Sequence, residues 1–272
     1  MDLARLKNKN RWLWCETLKL HGQEPGIRIA SSLSCVELLT VLFYNGFLKL
    51  YPDRPDHPDR DRFIASKGHG AAALYPILAD LGFFSPDRLN EVGSPCTAFG
   101  MIPDPAVPGI ETVNGSLGHG LGVGAGMALS LKQAHHPAKV VVLHGDGELG
   151  EGSVWEAAAF AGEMHLNNLF LLLDVNRKSM LGTCRRSLEQ WERMFQAFSW
   201  KTAVCAGHDL TEIMNALTEL FSRRNNCPSI LLLDTVKGHG VPELEQSELA
   251  HVMSLKPERI EALIAERMNT NA

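Results

Sequence analysis

Four short apolar runs, nearly free of polar interruptions, constrain this chain of 272 residues more than any other feature. They are Arg62 to Ala65, Lys139 to His144, Asn168 to Val175 and Ser229 to Val236. A strand with one wet face alternates apolar and polar residues; a run that is apolar throughout suits a strand covered on both faces, as in a parallel sheet. Between the runs lie segments of helical spacing: Leu3 to Leu20, Ser34 to Tyr44, His69 to Leu81, Leu117 to Gln133, Glu151 to Leu166, Leu188 to Phe198, Thr211 to Arg224 and Pro257 to Met268. Strands alternating with helices require right-handed crossovers. The expected fold is therefore α/β, a doubly wound, mainly parallel sheet with helices on both faces. No repeat or linker divides the sequence, so residues 1–272 are expected to form one domain. Tyr51 to Arg62 and Ser94 to Gly109, rich in proline, read as long loops.

Charge and composition exclude several classes. Lys plus Arg total 26 against 31 Asp plus Glu, a formal charge of −5, which is no footprint for nucleic acid. No apolar stretch is long enough to span a membrane. Met1 to Lys9 has no signal-peptide core. The six cysteines (Cys15, Cys35, Cys96, Cys184, Cys205, Cys227) form no C-x-x-C pair, which argues against zinc and for reduced thiols in the cytoplasm. No G-x-G-x-x-G follows the first strand of a βαβ unit, so a dinucleotide fold is not indicated. The glycine run from Gly120 to Gly124 lies inside a helical pattern and reads as close helix packing.

The chemistry concentrates after the second and third runs. Gly145-Asp146-Gly147 follows one, and Asn176 follows the other. In an open α/β sheet, ligands bind beyond the carboxyl ends of the strands. If these two strands are adjacent and parallel, Asp146 and Asn176 emerge side by side. A carboxylate and an amide oxygen form a hard, oxygen-only pair that suits Mg2+ or Ca2+, with phosphate oxygens completing the shell. The flanking glycines let backbone N–H groups approach a diphosphate. A plain strand–helix turn, with Asp146 as a cap and Asn176 in an Asx-turn, is the alternative.

The motifs GDGELGEGSVWEAA, DRFIASKGHG, GIETVNGSLGHGLGVGAGMAL and DTVKGHG, with Asn176 some thirty residues after the GDG, resemble the transketolase family over about residues 12 to 255. The resemblance implies a thiamine-diphosphate-binding fold. It implies Mg2+ (with Ca2+ or Mn2+ as substitutes) on Asp146, Asn176 and the backbone carbonyl of Lys178. Gly147 would donate its N–H to the diphosphate. The turn Gly115-Ser116-Leu117-Gly118 would lie against the cofactor, with Glu148, Glu151 and His239 also near it. Glu151 and Glu156 match acidic residues of a subunit interface. His69 and His251 match histidines near the reacting carbon and the substrate, the expected catalytic residues.

Family members of full length carry a pyrimidine-binding and a C-terminal domain as well, and this sequence matches only the first domain. The expectation is an N-terminal subunit, inert alone, that works with a partner chain carrying the other domains in an α2β2 assembly. It would transfer a two-carbon ketol unit from a ketose to an aldose. The alternatives are acyloin formation from pyruvate and a non-catalytic regulatory subunit. Two family histidines are absent: Arg28 and Met101 stand in their places. Arginine stays charged and clamps anions. Methionine is a weak acceptor with no proton to shuttle. Both changes leave the donor sugar or keto acid open. His119 falls where the family often has Gln. His21, His57, His135, His136 and His208 read as exposed or loop residues without a role.

Overall fold

The computed structural model describes residues 2–179, 182–183, 186–222 and 226–269. Cys184 and the Arg224 end of the expected Thr211–Arg224 helix lie outside the described residues. Each apolar run became a strand: β1 (Arg62–Ala65), β2 (Val140–Gly145), β3 (Leu169–Val175) and, later in the chain, β7 (Ser229–Asp234). Two short strands, β4 (Lys178–Ser179) and β5 (Gly182–Thr183), form a separate antiparallel pair. The main sheet also contains β6 (Lys201–Ala206), giving the order β1-β2-β3-β7-β6 with every pairing parallel.

β6 escaped the sequence reading for a physical reason. It is an edge strand, mostly half-exposed, and its apolar run, Ala203 to Ala206, consists of small side chains with none of the Leu, Ile or Phe that mark the other strands of this sheet. The central strands are different: β3 is buried at every position. Because side chains alternate across a sheet, each central strand feeds two cores. Val141, Leu143, Phe170, Leu172, Leu231 and Leu233 face one; Val140, Val142, Leu169, Leu171, Leu173, Ile230 and Leu232 face the other.

The first core is covered by α1 (Leu3–Gln23), α2 (Ile29–Leu33), α3 (Val36–Tyr44), α4 (Leu74–Asp80) and α8 (Leu210–Leu220). The second is covered by α5 (Gly120–Gln133), α6 (Gly152–Glu163) and α7 (Leu188–Ala197). The α6 crossover steps from β2 to β3, whereas α8 steps back from β6 to β7. Right-handed connections running in opposite directions must use opposite faces, and they do. Two further helices, α9 (Pro242–Gln246) and α10 (Pro257–Asn269), complete the chain, with α10 packed on α1.

Several boundaries moved. The expected Ser34–Tyr44 helix is α3, which starts at Val36, and a short helix outside the expectation, α2, precedes it across Ser34 and Cys35. The expected His69–Leu81 helix is a 3-10 turn, Gly68–Gly70, followed by α4. The Gly120–Gly124 reading holds at one position. A Cβ on Gly124 would lie 2.6 Å from Val142 Cγ2, so its absence lets α5 close on β2, while Gly122 and Gly126 face open space. No helix among the described residues is long and apolar enough to cross a membrane.

Candidate functional site

Strand register assembles the site. Ala65 pairs with Leu143, Gly145 with Asp174, and Val175 with Asp234. The strands therefore end at one edge of the sheet. The segments leaving them, Ser66–Gly70, Asp146–Gly150, Asn176–Lys178 and Thr235–Gly240, meet there.

Asp146 opens a 3-10 turn, Asp146–Gly150, and is 5% exposed. Its Oδ2 accepts the Arg177 N–H at 2.6 Å, which ties the β2 tip to the β3 tip. Arg177 adopts φ 61°, a left-handed conformation that costs a non-glycine residue about 1 kcal/mol. The hydrogen bond to a buried carboxylate offsets that cost. Asn176 Nδ2 donates to Asp174 Oδ2 at 3.1 Å, and Asn176 Oδ1 accepts the Lys178 N–H at 3.2 Å. The amide is thereby oriented with its oxygen away from Asp174. The Lys178 carbonyl accepts from Lys237 Nζ at 2.8 Å. Burial, then the charge of Asp174, pushes the Asp146 carboxyl up to about 6. Burial and the Lys67 charge bring the Lys237 ammonium down to about 8.

Beneath these groups lies a buried ion pair. Lys67 Nζ contacts Asp174 Oδ2, and Asp174 also accepts from Ser34 Oγ at 2.6 Å and from Thr235 Oγ1. Burial opposes both charges, but each partner outweighs it. The Lys67 pKa is raised and that of Asp174 is lowered, so the pair is ionised. Ser34 explains the break between α2 and α3, because the chain turns there to bring its hydroxyl to Asp174.

Glu148 is 1% exposed, and both its oxygens engage the protein. Oε1 accepts from Ser66 Oγ at 2.6 Å and from the Gly118 N–H at 3.0 Å; Oε2 accepts the Gly145 N–H at 2.9 Å. It ties the β1 exit, the β2 exit and the entry to α5 together. Gly118, at φ 80°, packs so tightly that a Cβ there would sit 2.6 Å from Glu151 Cβ. Gly115, Ser116 and Leu117 are exposed on the same rim, as are Gly147, Glu151 and Glu156.

His69, in the Gly68–Gly70 turn, and His251 face one another with ring centroids 6.2 Å apart. His251 Nδ1 lies 3.0 Å from Lys237 Nζ and 3.4 Å from Ser31 Oγ. Burial and the neighbouring Lys237, His69 and Arg28 lower the His251 pKa to about 4. Burial and Arg28 lower that of His69. Both rings are neutral at pH 7. Met101 is 48% exposed, and its Sδ occupies the space that a Cβ on Gly26 would need, so it covers the turn before Arg28 rather than lining a closed pocket.

Two histidines need correction. His21 is not exposed: it is fully buried in α1, where Nδ1 donates to Ile27 O at 3.0 Å and Nε2 accepts the Leu255 N–H at 3.0 Å. The sequence hid this, because one of its two partners, Leu255, lies 234 residues away. His208 is half-buried, stacked on His239 at 3.6 Å. Glu37, His208 and His239 form a cluster of potential metal ligands. His208, however, lies 3.1 Å from Glu37 through Nδ1 and accepts the Val236 N–H through Nε2 at 2.8 Å. With both ring nitrogens engaged, this cluster holds the β7 exit by hydrogen bonds, and Trp14 Nε1 adds a bond to His239 O at 3.0 Å.

Lys67, Lys237 and Asp174 were missed as site residues. A signal was present: Lys-Gly-His-Gly occurs twice, at 67–70 and 237–240, each time just after an apolar strand. Lysines repeated at strand ends point to a buried cationic floor.

The fold and the strand-tip oxygens define an α/β protein built to hold a polar ligand at the carboxyl edge of its sheet. Residues 19–269 match the model of the transketolase thiamine diphosphate binding domain, and the chain belongs to that family. It is 37% identical to a 6-deoxy-6-sulfo-D-fructose transketolase subunit from Clostridium sp. (strain MSTE9), over 98% of this chain and 96% of that one. It is 38% identical to an apulose-4-phosphate transketolase subunit from Phocaeicola vulgatus, over 97% and 96%. The crystal structure of Campylobacter jejuni transketolase superposes with a TM-score of 0.89 at 26% identity, covering 98% of this chain and 43% of that one. The chain thus spans less than half the length of that transketolase.

Proposed function

We propose that this chain is the cofactor-holding, N-terminal subunit of a two-chain transketolase that moves a two-carbon ketol unit from a ketose donor to an aldose acceptor. The observation that carries the reading is the convergence of the Asp146 carboxylate, the Asn176 amide oxygen and the Lys178 carbonyl at one sheet edge in a member of this family. Three hard oxygens fit Mg2+, with Ca2+ or Mn2+ as substitutes, and a carboxyl pushed up to about 6 by burial calls for a cation beside it. The Lys237 ammonium on the Lys178 carbonyl already answers part of that need. The metal would be held by these three groups and completed by diphosphate oxygens, with Gly147 and the exposed 115–117 rim beside the cofactor. When bound, thiamine diphosphate supplies the carbon nucleophile that cleaves the donor.

The chain's own residues orient and manage protons. Lys67 and Asp174 fix the floor, and Glu148 locks three loops in register. Lys237 donates to His251 Nδ1, which leaves the His251 proton on Nε2, ready to donate to a substrate oxygen. His69 is a neutral acceptor opposite. The carboxylate that activates the aminopyrimidine is assigned to a partner chain with pyrimidine-binding and C-terminal domains, in an α2β2 assembly. Two relatives bear the name of transketolase subunits and match this chain nearly end to end, which supports that division. The described cysteines form no disulfide with one another, in keeping with a cytoplasmic location.

Calorimetric titration of thiamine diphosphate with and without Mg2+ tests the reading. We expect metal-dependent binding that weakens at least tenfold in Asp146→Ala and Asn176→Ala, and ketol transfer only once the partner chain is added. Binding that ignores both the metal and the substitutions would overturn it.

A further inference from the structure

We propose that Arg28 is the anion-recognising residue of this site and selects a donor whose reacting carbonyl carries a carboxylate, a 2-oxo acid, over a neutral ketose. The proposal rests on the ketol-transfer reading and deepens it by naming the donor class.

Arg28 immediately precedes α2, and its carbonyl accepts the Ser31 N–H at 3.0 Å. Ser31, one turn on, places its hydroxyl 3.4 Å from His251 Nδ1. The Gly68–Gly70 turn packs on α2, with Gly70 tight against the Ser31 carbonyl, and it carries His69. This packing puts the start of α2, and with it Arg28, on the side of the site that carries the two imidazoles, and its positive charge helps to lower the pKa of both rings.

The guanidinium is half-buried, and no carboxylate or carbonyl among the described residues accepts a hydrogen bond from it. Four other arginines have carboxylate partners: Arg60 with Glu111, Arg88 with Glu91, Arg177 with Asp234 and Arg259 with Glu243. The nearby acids are committed elsewhere. Glu24 Oε1 accepts the Gly26 N–H at 2.8 Å, Glu148 is clamped inside the fold, and Asp174 is paired with Lys67. Among the described residues no carboxylate pairs with Arg28, which leaves its fork open to an anionic ligand. A planar carboxylate matches the guanidinium fork with two parallel hydrogen bonds, whereas a neutral hydroxyl leaves the charge uncompensated. The other anion expected at the site is the diphosphate of the cofactor, and the test separates the two.

3-Hydroxypyruvate and erythrulose deliver the same two-carbon unit: the first is an anion whose C1–C2 bond breaks to release the carboxylate as CO2, the second is neutral and its C2–C3 bond breaks to release glycolaldehyde. In the complex with its partner chain, Arg28→Gln should lower kcat/KM for 3-hydroxypyruvate at least tenfold, through KM, and that for erythrulose less than threefold. Arg28→Lys should recover part of the loss. Equal losses on both donors would overturn the proposal. So would a tenfold loss of thiamine diphosphate affinity in Arg28→Gln, which would assign the residue to the diphosphate. If the wild-type complex transfers from neither donor, the ketol-transfer reading fails on its own. Oxamate, an inert 2-oxo acid isostere, is therefore also titrated into the complex with its partner chain, loaded with thiamine diphosphate and Mg2+. Binding that is tenfold weaker in Arg28→Gln upholds the assignment; an equal Kd, or no binding to wild type, sinks it.

Discussion

At the scale of single residues, the buried charges dominate. Lys67 and Asp174 stabilise one another in surroundings that would tolerate neither alone, and two hydroxyls and an amide satisfy the rest of the carboxylate. Truncating one member leaves the other charged and unpaired, which costs about 3–5 kcal/mol. Lys67→Met should lose that much in urea unfolding of the isolated chain; a loss below about 1 kcal/mol would show that the pair is not ionised. The thiols give a second prediction. Burial pushes Cys35 and Cys205 up to about 12, so neither offers a thiolate at pH 8, whereas Cys96 is exposed. Alkylation of the native chain followed by peptide mass mapping should label Cys96 and spare Cys35 and Cys205.

At the scale of elements, the contact between α5 and β2 sets the depth of the site, because α5 begins two residues after Gly118, whose N–H is held by Glu148. Gly124 permits that contact; Gly126, also in α5, faces open space. Gly124→Leu should overpack the interface by about 1–3 kcal/mol. Gly126→Ala removes chain entropy from the unfolded state without a clash and should stabilise the isolated chain by about 0.4–1 kcal/mol. Denaturant midpoints of the two variants should move in opposite directions. The helices that the sequence placed well (α1, α5, α6, α7) each bury one stripe, and only α7 is strongly amphipathic. One that it missed, α2, is five residues long and ends at Ser34, whose hydroxyl reaches Asp174, a tertiary contact that no local pattern announces.

At the scale of the whole molecule, the linked titration of buried histidines sets the dependence of stability on pH. Burial lowers the pKa of His21, His69, His144, His239 and His251. The unfolded chain, with imidazoles near 6.5, therefore binds protons that the folded chain refuses. Stability from these groups is complete above about pH 6.5 and is lost as pH falls toward the folded values, about 4 for His251. Asp174, whose pKa is lowered, adds its own loss below about pH 4. Asp146 has the opposite sign, since its carboxyl is raised to about 6 and the folded chain binds the extra proton between roughly pH 4 and 6. One carboxyl offsets only part of five imidazoles. The melting temperature of the metal-free chain should fall between pH 7 and 5; a flat or rising profile would contradict this.

The sequence by itself determined the layers of this protein. Runs such as LFLLLDV can be satisfied only between two covered faces, and that requirement is local in the chain. The position of Asp146 and Asn176 at strand ends was legible for the same reason, because a strand that must be buried has to stop where polar residues begin. Only the tertiary structure decided which strand tips are neighbours, and hence that Lys67 reaches Asp174, that Lys237 reaches the Lys178 carbonyl, and that His69 and His251 meet across the site. Those contacts join residues far apart in the chain, and their energies depend on burial that exists only once the sheet has closed over them.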